Sequence, residues 1–162
     1  MKVAIFFGSK SDTEKMKKAA DVLTEFGIEY KAFVLSAHRA GELLQKTVKQ
    51  VESEGFEVII AGAGLAAALP GVIAGITTLP VIGVPLECVS ANSNGLGGMD
   101  ALLSIVQMPP QIPVATVGIG NAKNAGYLAA QILAIKYPEL SKKLKEFRAK
   151  LAEDAANAKA DF

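Results

Sequence analysis

Residues 3–35, VAIFFGSKSDTEKMKKAADVLTEFGIEYKAFVL, set the architecture of the chain. Val3 to Phe7 is an uninterrupted apolar run, the signature of a strand buried on both faces, and it stops at Gly8. From Asp12 to Phe26 the period changes, with Met16, Ala19, Leu23 and Phe26 on one helical face and Gly27 as the stop. Tyr30 to Leu35 then reads as a second strand. Strand, helix and strand in about thirty residues is the unit of a parallel sheet.

The same alternation continues. Leu43, Leu44, Val48 and Val51 mark a second helix, and Glu57 to Ala61 a third strand. A small-residue helix is expected over about 66–76, and a strand over Val81 to Val84 after Pro80. A Gly/Asn/Ser-rich loop leads to a helix near Met99 to Val106. Val114 to Val117 makes a fifth strand, and a helix from Asn121 to Ile135 closes the unit. This βα repetition predicts an α/β fold: a flavodoxin-like three-layer sandwich with a five-stranded parallel sheet and helices on both faces. A C-terminal helix over about 138–158 carries Leu140, Leu144, Phe147 and Leu151 on one stripe. That stripe packs either on its own domain or on a neighbouring subunit. The expectation is one domain over 1–162, with a core at about 2–135.

Composition excludes several functions. Seventeen basic and sixteen acidic residues nearly cancel, leaving no footprint for nucleic acid or an anionic membrane. Cys88 is the only cysteine and His38 the only histidine, which rules out an intramolecular disulfide and a thiolate cluster and would leave zinc with mostly carboxylate ligands. No metal site is expected. Residues 58–86 lack any charge, yet five glycines and three prolines would break a helix spanning lipid. Met1 to Phe7 is too short for a signal-peptide core, so a cytoplasmic location is expected.

Ligands of this architecture bind beyond the carboxyl ends of the strands. Three segments lie there. Gly8-Ser9-Lys10-Ser11-Asp12 offers backbone N–H groups and hydroxyls suited to a phosphate, although Ser11-Asp12-Thr13-Glu14 equally matches a capping box. Ser36-Ala37-His38-Arg39 offers a hydroxyl, a guanidinium that forks onto an anion, and a proton carrier near neutrality; a structural histidine is the alternative. Gly62 to Gly71 has almost no side-chain chemistry, so any role must come from close backbone approach and exclusion of water. Neither a dinucleotide fingerprint nor a Walker lysine is present. The residues thus point to a small-molecule phosphate site with one proton shuttle.

At this point the chain resembles a known family, the PurE proteins, which comprise N5-carboxyaminoimidazole ribonucleotide (N5-CAIR) mutases and aminoimidazole ribonucleotide carboxylases. The resemblance rests on eight blocks in order: GSKSD (8–12), SAHR (36–39), IIAGAG (59–64), LPG (69–71), LPVIGVP (79–85), SIVQMP (104–109), IPVAT (112–116) and NAGYLAAQIL (124–133). It implies a homo-octamer and catalysis with no cofactor or metal. It also implies that Ser9, Ser11, Ser36 and Arg39 hold the 5′-phosphate region, that Asp12 takes the ribose hydroxyls, and that Gly8 is among the substrate-binding residues. His38 would handle the proton at imidazole carbon 4, and Ala63, Gly64 and Leu65 would lie over the base and the migrating carboxyl group. Two features depart from the family. Ala68 stands where histidine usually precedes LPG, and the segment from Leu86 to Met99 is longer than usual.

The implied main function is the mutase of purine biosynthesis, converting N5-CAIR to 4-carboxy-5-aminoimidazole ribonucleotide. Direct carboxylation by CO2 is the alternative within the family, where lysine often replaces Arg39. A non-catalytic nucleotide-binding module is the alternative outside it. A flavin electron carrier is the weakest, since the loops lack aromatic residues to stack on the ring. The lability of the carbamate raises hand-over from the N5-CAIR synthetase as a route of delivery.

Overall fold

The computed structural model describes residues 1–90 and 93–159. Its order of elements is β1 (Lys2–Phe7), α1 (Thr13–Glu25), β2 (Glu29–Val34), α2 (Gly41–Ser53), β3 (Val58–Gly64), α3 (Ala68–Ala74) and β4 (Val81–Leu86). Then follow β5 (Val89–Ser90), β6 (Ser93–Asn94), α4 (Met99–Val106), β7 (Ala115–Thr116), α5 (Ala122–Ala134) and α6 (Pro138–Asn157). Five strands form one parallel sheet in the order β2-β1-β3-β4-β7. The order reverses at β1: the chain goes outward to β2, then returns to place β3 on the other side. The loops leaving β1 and β3 therefore diverge, and a crevice opens at their carboxyl ends.

Alternation along the buried strands sorts side chains to two cores. Val3, Ile5, Phe7, Ile60 and Val84 face α1, α5 and α6; Ala4, Phe6, Ile59 and Ala61 face α2, α3 and α4. Large side chains seat against glycines on both faces. A Cβ at Gly62 would lie 2.3 Å from Met16 Sδ, and one at Gly83 would lie 2.4 Å from Ile105 Cγ2. Between α1 and α5, a Cβ at Gly126 would meet Val22 Cβ at 2.8 Å and the Ala19 carbonyl at 3.0 Å. Gly83 and Gly126 meet branched side chains or backbone and accept hydrogen alone, whereas at Gly62 the Met16 thioether would have to give way.

The expected elements form, with shifted ends. α1 buries Met16, Ala19 and Leu23, and Gly27 ends it with φ +70°. β3 runs three residues past its expected end, carrying the apolar Gly62-Ala63-Gly64 to the crevice. Of the four residues that mark α2, Leu44, Val48 and Val51 are buried while Leu43 is 54% exposed. Leu44 is fully buried, and Leu43, turned about 100° round the helix from it, falls outside the face set by Leu44, Val48 and Val51. The stripe of α6 divides. Leu140 is buried, and Phe147 stacks on Tyr127 and meets Phe26 edge-on, whereas Leu151 remains exposed. The long segment after β4 contains the antiparallel ribbon β5–β6; its Ala91 and Asn92 lie outside the described residues.

At the opposite end of the sheet, Glu57 accepts from Lys136 Nζ (2.7 Å) and the Tyr137 hydroxyl (3.0 Å), and the amino terminus lies 3.8 Å away. Burial alone would raise its carboxyl pKa, but these donors and charges hold it below the usual glutamate range. Among the described residues, no helix is long and apolar enough to cross a membrane.

Candidate active site

The crevice at the carboxyl ends of β1 to β4 is a cavity of about 310 Å³. Gly8, Ser9, Ser11, Asp12, Ser36, His38, Arg39, Ala63, Gly64 and Leu65 all line it, so the residues singled out from the sequence meet in one place. Ala37, Ala67, Ala68, Leu69 and Cys88 complete the lining. A wider groove of about 590 Å³ between α5 and α6 is flanked by Tyr127, Phe147 and Arg148. It gathers no carboxylate, imidazole or thiol beside its arginine, so the crevice is the candidate active site.

The loop after β1 does not form the capping box suggested by Ser11 and Glu14. Instead Ser9 caps a short 3-10 turn over Lys10–Asp12, its hydroxyl accepting from the Ser11 amide at 3.3 Å and from the Ser11 hydroxyl at 2.9 Å. Asp12 takes the N-cap position of α1 without a side-chain cap bond. Its carboxylate is thereby released from the helix and lines the crevice. Burial raises its pKa above the ordinary aspartate value, opposed by the charge of Lys15 and by the Ser9 backbone.

Ser36, Ala37, His38 and Arg39 form the turn between β2 and α2, where the Ala40 amide returns to the Ser36 carbonyl at 2.9 Å. Arg39 Nη2 donates to the Gly8 carbonyl at 3.0 Å, tying this turn to the loop after β1. One guanidinium edge is used by that tie, and the remaining donors suit an anion. α2 begins behind it with no side-chain cap on its first amides. His38 is exposed beside Arg39.

The third wall is backbone. The Ala67 amide donates to the Gly64 carbonyl at 3.0 Å, closing a turn in which Leu65 (φ +56°) and Ala67 (φ +36°) adopt left-handed geometry. A Cβ at Gly64 would lie 2.9 Å from the Leu86 carbonyl and 3.4 Å from Cys88 Cβ. Two supports of this site were invisible in the sequence. Ser104 donates from α4 to the Ala66 carbonyl, and Lys15 donates from α1 to the Glu87 carbonyl. They join residues 38 and 72 positions apart, and no local pattern encodes such pairings.

A sequence profile of the family described as "AIRC: AIR carboxylase" matches residues 2–154. The chain is 52% identical over 158 residues to a protein of Saccharolobus solfataricus named N5-carboxyaminoimidazole ribonucleotide mutase, covering 98% of this chain and 97% of that protein. It is 57% identical over 147 residues to a protein of the same name from Pyrococcus abyssi, covering 91% and 82%. The crystal structure of Treponema denticola PurE superposes with a TM-score of 0.83 at 31% identity, over 98% of this chain and 99% of that one.

Proposed function

The chain belongs to the AIR carboxylase family, and from that membership we infer that it is an N5-carboxyaminoimidazole ribonucleotide mutase of purine biosynthesis. The observation that carries this is identity above one half, over nearly the full length, to relatives bearing that name. The crevice suggests how its residues do the work. Ser9, Ser11, Ser36 and Arg39 hold the 5′-phosphate region, with Gly8 allowing close approach of the backbone, and Asp12 accepts from the ribose hydroxyls. The base and its carboxyl group lie under the Ala63-Gly64-Leu65 turn.

In the first step the carbamate N–C bond breaks, its electron pair returns to nitrogen, and nitrogen takes up a proton donated by the His38 imidazolium, leaving His38 neutral for the second step. CO2 is freed beside the aminoimidazole. Carbon 4 then attacks CO2, and His38 removes the carbon 4 proton to restore the aromatic ring. No electrons are gained or lost overall. The Gly/Ala wall favours loss of CO2 from the charged carbamate and keeps the gas in place, and a captive reactant reacts at an effective concentration far above its solution level.

Arg39, rather than lysine, favours the mutase over direct carboxylation. The exposed apolar side chains Val72, Met99, Leu103 and Val106 on α3 and α4 support a homo-oligomer, expected to be an octamer. The protein works in the cytoplasm as one domain, receiving the labile carbamate from its synthetase. The test is a substrate-choice assay. Carbon 4 carboxylation is followed from the carbamate at low bicarbonate and from the free ribonucleotide at high bicarbonate, with His38→Asn beside each. Carbamate-dependent turnover that is lost in His38→Asn is expected. Turnover from the free ribonucleotide alone would make it a direct carboxylase, and turnover from neither a binding module.

A further inference from the structure

The turn over the crevice is held in a conformation that its own residues disfavour. Leu65 and Ala67 are two of the three non-glycine residues with positive φ among those described. Left-handed backbone presses the Cβ of an L-residue toward the following carbonyl oxygen, so both are disfavoured locally. Such strain persists only where the surroundings enforce it, and it tends to collect at functional sites. The inner restraint is packing: Ala67 and Leu69 are buried, and Gly64 lies against the Leu86 carbonyl. The outer restraint is Ser104, whose hydroxyl donates to the carbonyl of Ala66, the residue between the two strained ones. Ser104 is itself anchored. Its neighbour Ile105 is fully buried and wedged against Gly83, and Ala101 is buried one turn earlier, so α4 offers the hydroxyl from a fixed base.

We propose that Ser104 is a positioning residue, holding the strained 64–67 turn down over the crevice so that CO2 released from the carbamate stays beside carbon 4. This rests on the mutase function inferred above. Ser104 faces the outside of the turn and does not line the crevice, so it acts through the Ala66 carbonyl and touches no reacting atom. Without its hydroxyl the turn relaxes and a second exit opens for the gas. The free aminoimidazole ribonucleotide then accumulates, since carbon 4 attack requires CO2 to remain.

Ser104→Ala and Ser104→Thr are compared with the parent protein, measuring how much carbamate consumed by the enzyme ends as free ribonucleotide and how much as carbon 4 product. Ser104→Ala is expected to raise the leaked fraction and to lower kcat for carbon 4 carboxylation by about tenfold, within the cost of an ångström-scale misplacement. KM should change less than about twofold, because the phosphate and ribose contacts lie on other loops; a KM effect without leakage would overturn the proposal. Ser104→Thr, which keeps the hydroxyl, should restore the partition. Hydrogen exchange at the Ala67 amide gives a readout that needs no turnover, and it should accelerate in Ser104→Ala alone. Unchanged exchange there, or an unchanged partition with an active parent, would overturn the role of Ser104. An inactive parent would instead remove the mutase function, leaving exchange at Ala67 to decide whether Ser104 restrains the turn.

Discussion

Adding one methyl group at Gly8 should separate ligand binding from folding. A Cβ at Gly8 meets nothing within 4 Å, and the residue does not use positive φ, so alanine fits the folded chain without strain. Gly→Ala at such a position stabilises by about 0.4–1 kcal/mol through the unfolded state. The open space is the crevice itself, which Gly8 lines. A methyl there stands between the ligand and the backbone of the β1–α1 loop and prevents one charge-assisted hydrogen bond. The loss is about 1.5–3 kcal/mol, or roughly ten- to 150-fold in Kd. Gly64→Ala is the contrast, because its Cβ would meet the Leu86 carbonyl at 2.9 Å. Backbone cannot rotate aside, so that change should cost about 1–3 kcal/mol of stability, which lowers Tm by several degrees in a chain of this size. Thermal melts, with calorimetric titration of aminoimidazole ribonucleotide, read both quantities. Gly8→Ala should melt no lower than the parent and bind at least tenfold more weakly. Binding equal to the parent would refute close backbone approach at Gly8, and a lower Tm would refute the free space.

Three further outcomes are expected. Ala68→His, at the first turn of α3 on the crevice wall, should turn over faster than the parent by on the order of tenfold; equal rates would show that the missing imidazole is not limiting. Asp12→Asn should stabilise the fold while weakening ribonucleotide binding, since burial disfavours the carboxylate that we propose accepts from the ribose. A denaturant titration showing lower stability would contradict that trade. Glu57→Gln should lose about 1–2 kcal/mol at neutral pH, as the Lys136 and Tyr137 bonds lose their charged acceptor. Because the folded-state pKa of Glu57 lies below its unfolded value, its contribution is complete above the ordinary glutamate range. It fades as pH falls through the depressed value, so stability–pH curves of parent and variant should converge in acid, and parallel curves would exclude the linkage.

The sheet was legible because its buried strands are continuous apolar runs, and because the helices between them carry clear 3.6-residue periods. The candidate site was legible in part because this architecture opens its crevice at the strand ends, where Gly8 to Asp12 and Ser36 to Arg39 stand out as polar. Two local signals misled. Ser11 and Glu14 have capping-box spacing, but Ser9 captures Ser11 first and places Asp12 at the cap. Leu43 has the right composition for the core, yet Leu44 beside it occupies the inward direction. The left-handed geometry of Leu65 and Ala67 could not be read at all, because nothing in Leu-Ala-Ala asks for it. Packing from β4 and a hydroxyl from α4 impose it, and both arrive from distant parts of the chain.

The glycine contacts between layers bear on how the chain avoids folding wrongly. Among the described residues no polar or charged residue is buried, so no hydrogen-bond code inside the core tells one helix from another. Shape has to do it. Met16 finds its notch at Gly62 on one side of the sheet, Ile105 finds its own at Gly83 on the other, and Val22 enters the gap at Gly126. A collapsed chain that wound α1 or α4 onto the wrong side would press these side chains against filled surface, at roughly 1–3 kcal/mol for each misfit. The notches thus act as keyed sockets, making the native winding favoured over its topological rivals while the core remains wholly apolar.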